Sequence, residues 1–131
     1  MLLAKQKNSM TKITQENAVQ ELLNRIPEIK EYTDWKFIED ELDLATVIFD
    51  TFGSFLLDRI LSQPLEDDVI KRSFDFINEM QESEDPHVRN LPQVGVFEVL
   101  ATHKKSIEVG DRLLNKNGKE WFDKIKNFLP E

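Results

Sequence analysis

The stretch LATVIFDTFGSFLLDRIL, residues 44–61, decides the fold. Its apolar residues occupy most of the circumference of a helix, which is typical of a central helix packed on several sides. The polar residues that interrupt it are spaced four apart and form one narrow stripe: Thr46, Asp50, Ser54 and Asp58. Gly53 lowers helix propensity by about 1 kcal/mol relative to alanine, so we expect a neighbouring helix to approach closely there. Asp43 precedes the stretch as its expected N-cap.

The rest of the chain repeats apolar residues with the same helical period, and strand-like alternation never extends beyond a few residues. Further helices are predicted after Thr14 as N-cap, from Pro27, over 65–82, from Asp85, around Ile107 to Leu114 ahead of a turn at Asn117-Gly118, and at the end of the chain. The last helix is expected to bury one face: Trp121, Phe122, Ile125, Phe128 and Leu129. We predict an all-α bundle of about six to seven helices, a single domain over residues 14–131 behind a loose tail of residues 1–13. Asp85-Pro86-His87-Val88-Arg89 also looks like the turn of a HEAT repeat, so HEAT-like helix-pair packing is one arrangement of this bundle.

The segment ESEDPHVRNLPQVGVFEVL, residues 82–100, contains a helix start and a helix breaker. Asp85 suits an N-cap and Pro86 the first helical position. Pro92 removes a backbone hydrogen bond, so the helix is expected to kink or restart there, and Gly95 permits a close neighbour. Glu98 then lies among apolar residues.

The position of Glu98 has two interpretations. Burial without a partner would raise the pKa of its carboxyl, as in a general acid working together with Asp50 or Asp58 in a shared cavity. Buried charge in a helical core is usually paired, so we expect a structural buried acid instead, with Arg59 or Arg72 as its cation.

Composition excludes several classes of chemistry. The chain has 131 residues, enough for one domain, and no cysteine, so it forms neither a disulfide nor a thiolate metal site. Its histidines, His87 and His103, stand in no metal-binding or nucleophile motif, and its four glycines are scattered singly. We therefore expect no catalytic residues, no metal and no cofactor. The apolar run at the N-terminus is too short for a signal peptide and no stretch would span a membrane, which favours a cytoplasmic protein.

Charge is the strongest functional signal. The net charge is −8, and residues 28–85 alone contain 17 acidic against 5 basic side chains. A negative charge opposes nucleic-acid binding and suits a basic protein partner. An acidic surface also simply keeps a small domain soluble. The acids near predicted helix ends and turns are the candidate partner-binding residues: Glu39, Asp40, Glu41, Asp43, Glu66, Asp67, Asp68, Glu82, Glu84 and Asp85.

Four segments carry a resemblance that covers nearly the whole chain after Thr14. They are IPEIKEY, VIFDTFGSFLLDRI, the run from IKRSFDF to VGVFEVL, and GKEWFDKIKNFL. Their order resembles that of an uncharacterised family of small all-helical bacterial proteins, with Pro92 a departure from its pattern. The resemblance implies no catalytic residues. It also implies a likeness to immunity proteins of interbacterial toxin systems.

These observations predict an immunity or inhibitor module that neutralises a cognate basic toxin, for example a nuclease, through its acidic surface. A helical scaffold or regulatory adaptor unrelated to toxins is the alternative. The oligomeric state, the partner and the binding face stay open at this point.

Overall fold

A computed structural model shows the fold of the chain and describes residues 11–32, 35–36, 38–40 and 44–128. Within these residues every regular element is helical. The α-helices are α1 (Ala18–Arg25), α2 (Ala45–Ser62), α3 (Asp68–Gln81), α4 (Pro86–Gly95), α5 (Phe97–Leu100), α6 (Lys104–Leu113) and α7 (Lys116–Phe128), with a 3-10 helix over Pro27–Glu31 between α1 and α2. The predicted all-α, single-domain fold is confirmed.

The N-terminal region is held by local hydrogen bonds. Thr14 N donates to Asn17 Oδ1 at 2.7 Å, and Asn17 N donates to Thr14 Oγ1 at 3.1 Å. This reciprocal pair closes the turn that leads into α1. Thr14 is not the N-cap of α1 as predicted, because Asn17 immediately precedes the first helical residue. The predicted tail boundary is wrong by a few residues, because Ile13 is only 4% exposed and packs in the core. Residues 1–10 lie outside the described part of the chain.

Helix α2 is the centre of the bundle. It contacts α1 and each of the helices α3 to α6. Most of its apolar residues are buried, whereas its polar stripe faces outward, with Ser54 half-buried. In a HEAT array each helix pair contacts only its neighbours, so this arrangement around one helix differs from HEAT packing. Asp43, the expected cap of α2, lies outside the described residues.

Helix α4 crosses α2 at two glycines. A Cβ placed on Gly53 would lie 2.6 Å from the carbonyl oxygen of Gly95, and a Cβ on Gly95 would lie 2.9 Å from the carbonyl carbon of Phe49. Neither distance is compatible with a side chain, so the two backbones touch directly. The close neighbour expected at both glycines is therefore confirmed.

The prediction for Glu98 is wrong, because its side chain is exposed. Helix α4 runs through Pro92 to Gly95, and α5 begins only at Phe97. The exposed face nevertheless continues with a spacing of four, because Val94 and Glu98 are both exposed whereas Gln93 and Phe97 are both buried. Arg59 and Arg72, the expected partners of Glu98, pair with acids elsewhere.

The C-terminal helix differs from its prediction in two respects. Asn117 and Gly118 lie in the first turn of α7 rather than in a turn before it. Trp121 is 44% exposed, whereas Phe122 is fully buried. Gly110 of α6 makes room for Phe122, since a Cβ there would lie 2.7 Å from Phe122 Cε2. Successive helical residues point about 100° apart, so burying Phe122 turns Trp121 outward.

None of the helices in the described ranges is long and apolar enough to cross a membrane.

Candidate protein-binding surface

Helix α3 divides the predicted acidic residues into two groups. Glu66, Asp67 and Asp68 lie at its N-terminal end, and Glu82, Glu84 and Asp85 follow its C-terminal end. With a rise of 1.5 Å per residue, the two groups are roughly 20 Å apart. Glu39 and Asp40 are exposed in a separate turn, whereas Glu41 and Asp43 lie outside the described residues. The predicted residues therefore do not form one continuous patch.

At the N-terminal end of α3, Asp67 is a structural residue. Its side chain caps the helix by accepting from Ile70 N at 3.1 Å, and both carboxylate oxygens accept from Arg59 of α2 at 3.0 Å. The hydrogen bonds from Arg59 lower the pKa of the Asp67 carboxyl below its usual range. Asp67 therefore joins the end of α2 to the start of α3.

Arg72 neutralises much of the remaining charge at this end. It donates to both carboxylate oxygens of Glu28 at 3.0 and 2.6 Å, to Asp68 at 2.7 Å and to the carbonyl oxygen of Arg25 at 2.7 Å. The forked hydrogen bond from Arg72 lowers the pKa of the Glu28 carboxyl. Two of the three acids predicted here are thus engaged within the fold, which leaves only Glu66 exposed without an ion pair to another described residue.

At the C-terminal end the acids remain largely available. Asp85 caps α4 as predicted, accepting from His87 N at 2.9 Å, and this hydrogen bond lowers the pKa of its carboxyl. Glu82 is exposed and accepts from Asn115 Nδ2 at 2.7 Å. Glu84 is exposed, and none of the ion pairs among the described residues involves it.

Clefts surround this end of α3. One of about 290 Å³, called the Trp121 cleft below, lies where residues 81–83 meet α4 and α7, and these residues line it: Gln81, Glu82, Ser83, Arg89, Gln93, Asn117, Glu120 and Trp121. Two further clefts, of about 280 and 360 Å³, share Lys12, Ile13, Ser83 and Glu84. The clefts therefore adjoin one another around residues 82–84. The structure brings Glu82, Glu84 and Asp85 together at this point.

A chain of buried amides forms the floor of the Trp121 cleft. Gln81 Nε2 donates to the carbonyl oxygen of Arg89 at 2.8 Å, and Gln93 Nε2 donates to Gln81 Oε1 at 2.8 Å. Gln81 is fully buried and Gln93 is 6% exposed. Sequence reasoning did not find this floor or Trp121. Trp121 and Phe122 are adjacent in sequence, and two successive helical residues cannot both face the core equally. This adjacency could have indicated that one of the two rings is exposed.

The acids considered for catalysis do not share a cleft of this kind. Asp58 lines a surface cleft with Glu28, Tyr32 and Arg59, and neither Asp50 nor Glu98 is among its lining residues. Asp50 lies eight residues from Asp58 on α2, about 12 Å along the axis. Desolvation raises the pKa of the Asp50 carboxyl, next to α4. No three His, Asp or Glu side chains in the described ranges converge as metal ligands would.

The described part of the chain is a small all-α domain with acidic clefts around the C-terminal end of α3. A family model described as "Domain of unknown function (DUF7674)" matches residues 19–130, and the chain belongs to this family. No curated protein and no solved structure matches the chain significantly. The resemblance to an uncharacterised family is thereby confirmed. The family description names no activity, so the surface itself has to support any functional assignment.

Proposed function

We propose that the chain is a protein-binding module that engages a basic protein through the C-terminal end of α3. The observation that carries this proposal is the difference between the two ends of that helix. Asp67 and Asp68 are paired with arginines, whereas Glu82 and Glu84 are exposed on the rims of adjoining clefts. A concave acidic surface accelerates encounter with a basic partner and offers recesses for its side chains.

The finer proposal is that the partner is a toxin and that the chain is its immunity protein. Basic toxins such as nucleases bind phosphate groups, and clustered carboxylates can occupy the same positive site. The net charge of −8 supports this reading.

The proposal predicts that a toxin domain is encoded beside the gene for this chain, and the test uses that domain. Calorimetric titration of the purified toxin domain with the full chain is expected to show saturable binding that weakens as salt rises. Cells that express the toxin domain are expected to survive only when the chain is co-expressed. Absence of binding, together with unchanged survival when the chain is deleted, would contradict the proposal.

A helical scaffold or adaptor is the second candidate. Leu44 and Leu61, at the two ends of α2, are 46% and 42% exposed, and both lie outside the acidic clefts. They are about 25 Å apart along the helix axis, so each would be a separate apolar contact for a second partner of an adaptor. Binding to a protein that is not toxic, without any effect on survival, would favour this function over immunity.

A further inference from the structure

We propose that the Trp121 cleft binds an arginine side chain of the partner. The guanidinium would lie against the indole of Trp121 and donate hydrogen bonds to Gln93 Oε1 and to the Glu120 carboxylate. This inference rests on the proposed function, since it names the side chain by which a basic partner is anchored. It follows from the orientation of a buried amide, the balance of charge and the exposed aromatic ring.

The orientation of Gln93 follows from a backbone carbonyl. The carbonyl oxygen of Arg89 can only accept, so Gln81 must present its NH₂ group there and its oxygen to Gln93. Gln93 must then present its own NH₂ group to Gln81. Its Oε1 is left over, and no donor among the described residues reaches it. A side chain that is 94% buried thus offers a hydrogen-bond acceptor to the cleft.

The charges around the cleft favour a cationic ligand. Glu82 and Glu120 face one base, Arg89, so the lining carries a net charge of −1. Arg89 is partly occupied because it donates to the carbonyl oxygen of Ser83 at 2.7 Å. Asn117 also lies near Glu82, with Nδ2 and Oε2 3.4 Å apart. A cationic ligand rich in N–H groups complements the net negative charge of this lining and its carboxylate and amide oxygens.

Trp121 makes arginine a better ligand than lysine. Its ring is 44% exposed, and Lys124 Nζ lies 4.9 Å from the ring centroid, so an incoming guanidinium would stack on the opposite face of the ring. A guanidinium stacks on an indole, and its planar fork of five N–H groups can reach a carboxylate and an amide oxygen together. An ammonium group is a compact point charge and would not span both acceptors while remaining on the ring.

The test is a nuclear magnetic resonance titration of the full chain with an acetylated glycine peptide that contains one arginine. The indole N–H of Trp121 and the side-chain amide of Gln93 are expected to shift together and to saturate. A peptide with citrulline, the neutral counterpart of arginine, is expected to shift neither. Trp121→Leu and Glu120→Gln should each weaken binding about fivefold. Glu108→Gln removes an equally exposed charge from α6, outside the cleft, and should leave binding unchanged.

Equal shifts with citrulline, unchanged affinity in both cleft variants, or the same shifts on adding inorganic phosphate would overturn the inference. The last result would indicate an anion site around Arg89. The experiments distinguish a wrong arginine site from a wrong proposed function. If the toxin domain binds both cleft variants with unchanged affinity, the arginine site is wrong and the binding module stands. If the arginine peptide saturates the cleft and no toxin is bound, the arginine site stands without the toxin.

Discussion

Gly53 and Gly95 bring the backbones of α2 and α4 into direct contact, since a Cβ on Gly53 would lie 2.6 Å from the Gly95 carbonyl oxygen. The atom in the way belongs to the backbone of another helix and cannot rotate aside. This contact fixes how closely α4 approaches the central helix. It also positions α4, whose Arg89 and Gln93 line the Trp121 cleft.

Gly53→Ala is expected to lower the free energy of unfolding by about 1 kcal/mol, because separating the helices to admit the methyl group causes a loss of about 2 kcal/mol. This loss outweighs the gain of about 1 kcal/mol in helix propensity. Urea unfolding followed by circular dichroism measures the change. Gly118→Ala is the control, since its Cβ would meet only side-chain atoms at 3.2 Å or more. Equal stability of Gly53→Ala and the wild type would show that the contact is not tight.

Ser73→Ala is expected to stabilise the chain by about 0.5 kcal/mol. The Ser73 hydroxyl is fully buried in α3 and has no hydrogen-bond partner among the described residues. Removing it relieves an unsatisfied polar group and improves helix propensity. Ser106 is equally buried, but its hydroxyl donates to the carbonyl oxygen of Leu100, so Ser106→Ala should destabilise by about 1 kcal/mol. The two thermal unfolding midpoints should move in opposite directions; a loss of stability in both variants would contradict this account.

Asp67→Asn isolates the ion pair with Arg59, because asparagine still caps a helix. The folded-state pKa of Asp67 is lowered, so its contribution is present above the unfolded-state pKa of about 4 and is lost as pH falls through the folded-state pKa. The pair is partly exposed, and we expect a loss of about 1 kcal/mol at neutral pH. Urea unfolding measures the free energy of unfolding of the variant and of the wild type at about pH 7 and about pH 3. The difference between the two proteins should be smaller at the lower pH. If this difference in the free energy of unfolding were the same at both pH values, the charge of Asp67 would contribute nothing to stability.

Much of the fold could be predicted because local sequence and packing agree. Three predictions show this agreement, and the structure confirms all three: apolar residues around most of α2, a close neighbour at the glycine inside α2, and the start of α4 at Asp85-Pro86. The prediction that Glu98 is buried was wrong for a definite reason. Its apolar neighbours in sequence suggested burial, but Glu98 lies four residues after exposed Val94 and therefore on the solvent-facing side of the helical period.

The candidate surface was less predictable, because it depends on contacts between residues far apart in sequence. Nothing near Asp67 shows that Arg59 will pair with it, or that Arg72 will reach Glu28 across 44 residues. Likewise, the amide chain joins Gln81 of α3 to Gln93 of α4. Sequence could indicate that the acids matter, but only the packing of α2, α3 and α4 separates paired acids from available ones.

We propose that the partner binds at the C-terminal end of α3 and that the net charge of the chain alone does not account for binding. Glu84 and Glu66 provide a matched pair, since both are exposed glutamates near opposite ends of one helix and neither belongs to an ion pair with another described residue. Glu84→Lys and Glu66→Lys change the net charge equally.

The measurement is the affinity of each variant for the toxin domain encoded beside the gene, by calorimetric titration at one salt concentration. We predict that Glu84→Lys weakens binding about tenfold and that Glu66→Lys changes it less than about twofold. Equal weakening by both variants, or a larger effect of Glu66→Lys, would contradict the claim.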